Sequence, residues 1–465
     1  MSVAEATPDL EQGSLEDRAF LGHPKGLGYL GFTEACERFS YYSMQTLLVL
    51  YMVNYLLVPG RMEHVLGLNW LQMHVYHGIS GQPLASAIFG TYAALVYGTP
   101  IIGGIIADKW LGRNRTLILG GVLMAIGHFL MAVQPAFVLA LLALVLGVGA
   151  FKGNIATQVG ALYGPNDLRR AMAFQIFYIF INVSVILAPL ISGTLGQKVG
   201  WHYGFGCAGV VMVLGLFIYL AGRRYLPGEE LASPREDQAR RHPLTRNDWL
   251  SVGYLVILIP VLAVSLLTNQ QIFNAYLVWG DQQFDLKLLN NTSSWLITVD
   301  ATVSFTMLVA VAAFWKWWGS HHREPDEISK MIIGSVFTVA GGLCLFMAAL
   351  TQPPGGKISL AWPMMFELMN SIGFAHVLPI SLALFSKISP KQITATVIGL
   401  YYFAFFIANA LVGYVGGLYS SLPTTTFWLI HVASAAFGLV AFIVFKMLIG
   451  QRMQSTAEDQ AAALS

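Results

Sequence analysis

The chain has 465 residues, of which 56% are hydrophobic and only 11% charged, with a mean hydropathy of +0.62. Soluble domains carry about a quarter charged residues, and one aqueous core could not bury this much apolar sequence, so a polytopic membrane protein is indicated. A net charge of +2, with the basic residues dispersed among loops, offers no surface to nucleic acid.

The first 28 residues, opening "MSVAEATPDLEQGSLEDRAF", are polar and acidic. They lack the pattern of a cleavable signal and are expected to form a cytosolic tail. About 20 apolar residues cross the hydrocarbon core as a helix. Such segments fall near 33–58, 84–107, 116–134, 136–162, 170–195 and 201–222, then near 249–281, 292–318, 328–351, 360–388, 393–421 and 426–450. The expected fold is therefore all-α, with twelve transmembrane helices in two six-helix bundles, 29–222 and 248–450. A polar cytosolic linker, 223–247, joins them, and 451–465 forms a second cytosolic tail. With the N-terminus inside, twenty of the 26 Lys and Arg residues fall in inward segments and four (Arg61, Lys198, Lys287, Lys357) in outward loops. That asymmetry follows the positive-inside rule. The remaining two, Arg38 and Lys152, lie within spans.

Twelve spans in two halves resemble the major facilitator fold, which implies a substrate site between the halves near the midplane. The loop after the second span strengthens the resemblance. "GGIIADKWLGRNR" places Gly104, Asp108, Gly112 and Arg113 at the spacing of that fold's cytosolic loop signature. Glycines there let helices approach, and the acid and bases can form a gating ion pair.

The first span opens with "TEACERFSYYSMQ", which buries the residues a bilayer tolerates least. At 100° per residue, Glu34, Glu37, Arg38, Tyr41 and Gln45 fall within an arc of about 100°. Glu34 and Arg38 are an i,i+4 pair. Glu37 has no such partner on its helix, so it is expected to hold a proton or to meet a cation from elsewhere, for which Lys152 in "LGVGAFKGNIATQVG" is available. A carboxylate and an amine that trade a proton make a relay. His128, His202 and His376 are isolated and expected to be satisfied core residues. The three cysteines lie far apart without metal-ligand spacing and are expected to be free thiols.

The motif "EACERFSYY" resembles that of the proton-dependent oligopeptide transporters, a branch of the major facilitator superfamily. "GGIIADKWLGRNRTLILGG" and "FQIFYIFINVSVILAPL" resemble that family's two signatures, with Ser184 where glycine is usual. The resemblance implies import of di- and tripeptides with protons. It gives Glu34, Glu37, Arg38 and Lys152 the proton-coupling role, and places Tyr41, Tyr42, Tyr97, Tyr178 and Asn182 along the peptide pocket. The chain departs from the family in the charges that meet the peptide. Gln45 stands where the family carries an arginine for the peptide carboxylate, Gln270 where it carries a glutamate paired with that arginine, and Phe374 where it carries another glutamate. Asp300 replaces an asparagine. Losing both members of an ion pair together is coherent, because a lone buried charge costs several kcal/mol. Asp300 and Glu367 remain as the acids well inside the later spans, and Asp300 is the expected anion for a substrate amine.

The expected function is a proton-coupled symporter of small peptides in a bacterial inner membrane, with peptide, protons and lipid as its partners. No cofactor or metal is expected, and no enzymatic motif is present. A symporter of another small polar solute and a non-transporting sensor on the same fold are the alternatives.

Overall fold

A computed structural model describes residues 17–164, 167–228, 244–390 and 393–450, the side chain of residue 395 excepted. Most of both tails and of the linker, with Arg235, Arg240, Arg241, Lys391 and Arg452, lies outside the described residues. Among the described residues there is no strand, only two isolated bridges, and the all-α expectation holds.

Among the described residues eleven helices are long and apolar enough to cross a membrane. The twelfth expected span is the first, α1 (Lys25–Tyr51), extended by a π turn at Met52–Leu56. Its polar face keeps it out of that apolar set, yet 27 residues at 1.5 Å each reach about 40 Å. A short helix α2 (Leu68–His74) follows in the loop. Then come α3 (Gly81–Ile106), α4 (Arg113–Met131), α5 (Phe137–Ala161), α6 (Arg169–Ala188) and α7 (Trp201–Gly222).

The sequence predicts one helix over 249–281 for the seventh span, and here the structure differs. The span forms α8 (Arg246–Ser265), a single turn α9 (Leu267–Gln270), a 3₁₀ turn at Gln271–Phe273 and α10 (Ala275–Gln283). Asn274 leaves helical geometry at φ −123°, ψ −109°. Its side chain compensates by donating to the Val412 carbonyl at 3.2 Å and accepting from the Ser86 hydroxyl at 2.9 Å. The helices α11 (Trp295–His321), α12 (Glu327–Leu350), α13 (Ala361–Ile388), α14 (Thr394–Gly417) and α15 (Thr424–Phe445) complete the chain. Thr245 and Asp248 cap α8 reciprocally, and Asp326 caps α12 by accepting from the Ser329 amide at 2.9 Å. Orphan helix-end donors are satisfied in this way.

The chain divides into two compact units, Met1–Leu48 with Gly60–Asn69 and Gly98–Ser233, and Val49–Pro59 with Trp70–Tyr97 and Pro234–Ser465. The two bundles expected on either side of the linker differ from these units at 49–59 and 70–97, which group with the later residues.

Lipid supplies no hydrophobic drive between helices, so close approach rests on small residues. In the first unit a Cβ on Gly120 would stand 2.7 Å from the Gly147 carbonyl oxygen, and one on Gly103 only 2.0 Å from that of Gly149. In the second unit a Cβ on Gly373 would meet Thr338 Oγ1 at 2.4 Å, and one on Gly90 would meet Gly413 Cα at 2.4 Å. Around the latter helices a core forms from Leu258, Leu262, Met331, Phe385, Tyr401 and Phe442, all at most 2% exposed.

Candidate functional site

In the first unit the polar arc of α1 is buried as expected. Glu37 is fully buried, Glu34 and Arg38 are each 5% exposed, and Tyr41 and Gln45 are 4% exposed. The pairing differs from the sequence reading. Spacing leaves Glu37 without a partner on its own helix, but Arg38 holds both of its oxygens. Arg38 Nη2 donates to Glu37 Oε1 at 2.7 Å, and Nε donates to Glu37 Oε2. The same Nε stands 3.2 Å from Glu34 Oε1, so the expected i,i+4 pair is present too. Adjacent side chains on a helix do not normally face one another. The planar fork of arginine overcomes this, because its long stem lets two parallel N–H groups meet one carboxylate.

One oxygen is left over: Glu34 Oε2 is buried without a hydrogen-bond partner. The arginine also lies over Tyr41, with 5.0 Å from Cζ to the ring centroid. Gln45 Nε2 donates to the Tyr41 hydroxyl at 2.6 Å, while Gln45 Oε1 has no partner. Tyr42 stands edge-on to Tyr41 at 5.1 Å. Lys152 approaches from α5, close enough for its charge to act on Glu34, Glu37 and Arg38. Gly149, one turn before it, lies against Thr99 and Gly103 of α3. The structure thus brings all four expected proton-coupling residues together.

Tyr178 and Asn182 sit one turn apart on α6, the Asn182 amide donating to the Tyr178 carbonyl at 2.8 Å. Tyr178 is 58% exposed. Ser184 turns its hydroxyl back to the Phe180 carbonyl at 3.0 Å. At the loop signature Arg113 Nη2 stands 3.7 Å from Asp108 Oδ1, the expected ion pair. Gly112 adopts φ +78° between the π turn Ala107–Leu111 and α4, a left-handed conformation that favours glycine. Gly104, however, has open space where its Cβ would be; the close approach expected there is made by Gly103.

Two features of this unit do not follow from the sequence. Gln158, Asn114 and Tyr219 form a buried network, with Gln158 Nε2 donating to Asn114 Oδ1 at 2.7 Å and to the Tyr219 hydroxyl at 2.8 Å. His128, expected to be a satisfied core residue, is fully buried with neither ring nitrogen hydrogen-bonded. Near the start of α1, His23 Nδ1 meets the Tyr163 hydroxyl at 2.9 Å. Desolvation, and then the Arg169 charge, lower the His23 pKa. Arg169 pairs with Asp167 at 2.8 Å and, chiefly through that hydrogen bond, holds its carboxyl below the usual range.

In the second unit Gln270 closes α9 at the interruption of the seventh span, half-buried. Tyr97 stacks on Phe405 at 5.0 Å. Asp300 on α11 lies beside Glu367 on α13. Phe374 is seven residues after Glu367 on the same helix, hence on the same face about 10 Å along. Phe374 lines a small cavity with Asn269, Thr338 and Asn370.

The loop bases of this unit also have partners that a topology count does not show. Lys446 Nζ donates to Asp326 Oδ2 at 2.8 Å and Lys387 Nζ to Glu327 Oε1 at 2.6 Å; Lys330 pairs with Glu324. Burial opposes ionisation of Asp326, but the bonds from Lys446 and Ser329 outweigh it and lower its pKa. The cysteines are free, as expected, with Cys36 buried and Cys207 and Cys344 half-buried. No group of acids, histidines and cysteines suited to a metal occurs among the described residues.

Comparison with known proteins agrees with this geometry. Residues 35–413 match the family model described as the Major Facilitator Superfamily. The chain is 28% identical to an uncharacterised transporter, YclF, of Bacillus subtilis, over 94% of this chain and 95% of that one. It is 27% identical to a di-/tripeptide transporter of Lactococcus lactis subsp. cremoris, over 93% and 97%. Among solved structures, a variant of the peptide transporter POT superposes with a TM-score of 0.81 at 26% identity, covering 96% of this chain and 99% of that one.

Proposed function

Since the chain belongs to the major facilitator superfamily, and within it to the proton-dependent oligopeptide transporter branch, we propose that it carries di- and tripeptides into the cytosol with protons by alternating access. The observation that carries the reading is the buried cluster of Glu34, Glu37, Arg38 and Lys152. A structural ion pair needs one acid and one base. This cluster has two of each, and one carboxylate oxygen, Glu34 Oε2, is left without a donor.

That oxygen is where a proton is received at least cost in hydrogen bonds, because both oxygens of Glu37 are already held by Arg38. Protonating Glu34 weakens its hold on Arg38 and leaves Glu37 and Lys152 to rebalance the charge. The proton is the coupling ion in this reading, and no other cofactor is called for. Tyr41, Tyr42, Gln45, Tyr97, Tyr178, Asn182 and Gln270 serve the cargo. Asp300, with Glu367, receives its ammonium group, since an ammonium taken from water needs a nearby anion or strong acceptors.

Reconstituted protein tests the coupling. Glu37→Gln and Glu34→Gln are expected to abolish accumulation driven by a proton gradient while sparing substrate exchange, which moves no net proton. Lys152→Ala should behave similarly or worse. Full gradient-driven accumulation by both glutamine variants would reduce the cluster to structural glue.

A second reading, symport of another small polar solute, is favoured by Gln45 and Gln270, which bring no formal charge to a peptide carboxylate. Competition of dialanine, amino acids and organic anions for uptake separates the two. We place the protein in a bacterial inner membrane with both termini and the 223–247 linker inside, a reading supported by the basic-residue asymmetry and by the bacterial relatives. A cysteine introduced at 235 should resist impermeant reagents added outside intact cells; labelling from outside would invert the topology.

A further inference from the structure

Among the described residues, two acids lie deep in the helices of the second unit with no base beside them. Glu367 is fully buried, and neither of its carboxylate oxygens has a hydrogen-bond partner. Asp300 lies within hydrogen-bonding reach of it. Asp300 Oδ1 accepts from the Ser304 hydroxyl only at the outer limit of 3.5 Å, and that hydroxyl stands closer to Ser371 Oγ on α13, at 2.9 Å. A third group closes the site. Tyr276 on α10 is fully buried, its hydroxyl is unpartnered, and it lies within reach of the Glu367 carboxyl.

The charged and titratable groups that act on the pair from the surrounding helices are few. From α11 comes Asp300, from α13 Glu367 and from α10 Tyr276. On α13 itself His376 is turned to the Ile372 carbonyl, and on α15 His431 is turned to that of Phe427. Among the described residues no lysine, arginine or histidine acts on either carboxyl.

Two carboxylates have no hydrogen to place between them, so neither can donate to the other. Like charges this close also repel strongly in a medium of low dielectric. A single proton removes both difficulties. It turns the repulsion into an O–H···O⁻ bond between the acids, and the Tyr276 hydroxyl can then donate to the charge that remains. We infer that Asp300 and Glu367 form a second proton-binding site, in which the pair holds one proton between its two carboxyls. The proton is taken from water and returned to water, with no other reactant. This site differs from the cluster on α1 in kind, since its acids are balanced by a proton and not by bases. It stands whatever the cargo, so its failure would leave the reading of the function intact.

Infrared pH-difference spectroscopy on full-length protein in lipid nanodiscs tests it. In a Glu34→Gln/Glu37→Gln background the two buried acids of the α1 cluster are silent. One protonated-carboxyl stretching band is expected at neutral pH, with a second proton taken up only on strong acidification. Glu367→Gln should remove the neutral-pH band, because the pair then has no second carboxyl with which to share a proton. Asp300→Asn should shift the band without removing it. Absence of any such band at neutral pH, two bands, or a band indifferent to Glu367→Gln would overturn the inference. If the double-glutamine background does not fold, the native minus Glu367→Gln difference spectrum isolates the same band and decides between the same outcomes.

Discussion

In the first unit two buried carboxylates meet two bases, and Arg38 alone binds three of the four carboxylate oxygens. In the second, Asp300 and Glu367 meet a serine and a tyrosine, and neither carboxylate oxygen of Glu367 has a hydrogen-bond partner. Both regions bury ionisable groups where burial is expensive, but they solve the cost differently. In the first cluster two bases stand against two acids, so the formal charges cancel. The second reaches its lowest energy with one group neutral. Buried acids therefore cannot be read one at a time: whether an acid is expected to ionise depends on the bases within a few ångströms.

The contrast breaks most visibly if the first region is made to resemble the second. Arg38→Ala leaves Glu37 with two donorless oxygens, and removing one partner of a buried pair costs about 3–5 kcal/mol. A large fall in thermal unfolding temperature in detergent is expected. Arg38→Lys should recover only part of it, since an ammonium cannot span both oxygens.

Next in size is the helix crossing that brings Lys152 to the acids. A Cβ at Gly103 would stand 2.0 Å from the Gly149 carbonyl, so Gly103→Ala should cost about 1–3 kcal/mol through overpacking. Gly104→Ala, with open space around it, should leave unfolding unchanged. Equal effects of the two would show that the crossing does not set the position of α5.

Asp300→Asn addresses the second region. It is expected to weaken binding of dialanine at least tenfold, about 1.4 kcal/mol, and to leave its N-acetylated analogue almost unaffected, as read by calorimetry. Equal losses for both ligands would remove Asp300 from the amine.

The smallest effect concerns the helix ends, where the regions should respond to different pH. His23 has a lowered pKa in the folded chain, so the unfolded segment binds more protons below the ordinary histidine value. Its contribution is present above about pH 6.5 and fades as pH falls below it. The lowered Asp326 carboxyl contributes above its ordinary value and is lost only below about pH 4. Between pH 8 and 5, hydrogen-exchange protection, corrected for the intrinsic pH dependence of amide exchange, should therefore fall at residues 17–24 and stay flat around 326–330, with His23→Gln removing the first response.

Much of this is legible in the sequence, because hydropathy and helical angle are local. The spans, the buried arc from Glu34 to Gln45 and the Asp108–Arg113 pair all follow from spacing. The partner of Glu37 does not, since a one-residue separation is normally uninformative and the outcome depends on how far an arginine reaches. Nor does the break in the seventh span. The chain stays helical through Pro100, Pro260 and Pro379 and leaves the helix at Asn274, which is neither proline nor glycine. The signal is the polar run "TNQQIFN" inside an apolar span, where Asn274 bonds to neighbouring helices in place of the helix's own backbone. The partnerless state of Glu367 and His128 is hidden for the opposite reason, because it depends on what tertiary packing fails to supply.

Gly112 joins the second and third spans with a single non-helical residue, and both its backbone groups are engaged. Its N–H donates to the Ala107 carbonyl at 3.0 Å, and its carbonyl accepts from the Thr116 amide and hydroxyl at 3.1 and 2.8 Å. Mechanically this junction is a crank and not a tether. It has no slack length to take up, so a rotation at the end of α3 is delivered to α4 within one peptide. Inserting a few flexible residues there would preserve every side chain of the signature while disconnecting the torque between the two helices.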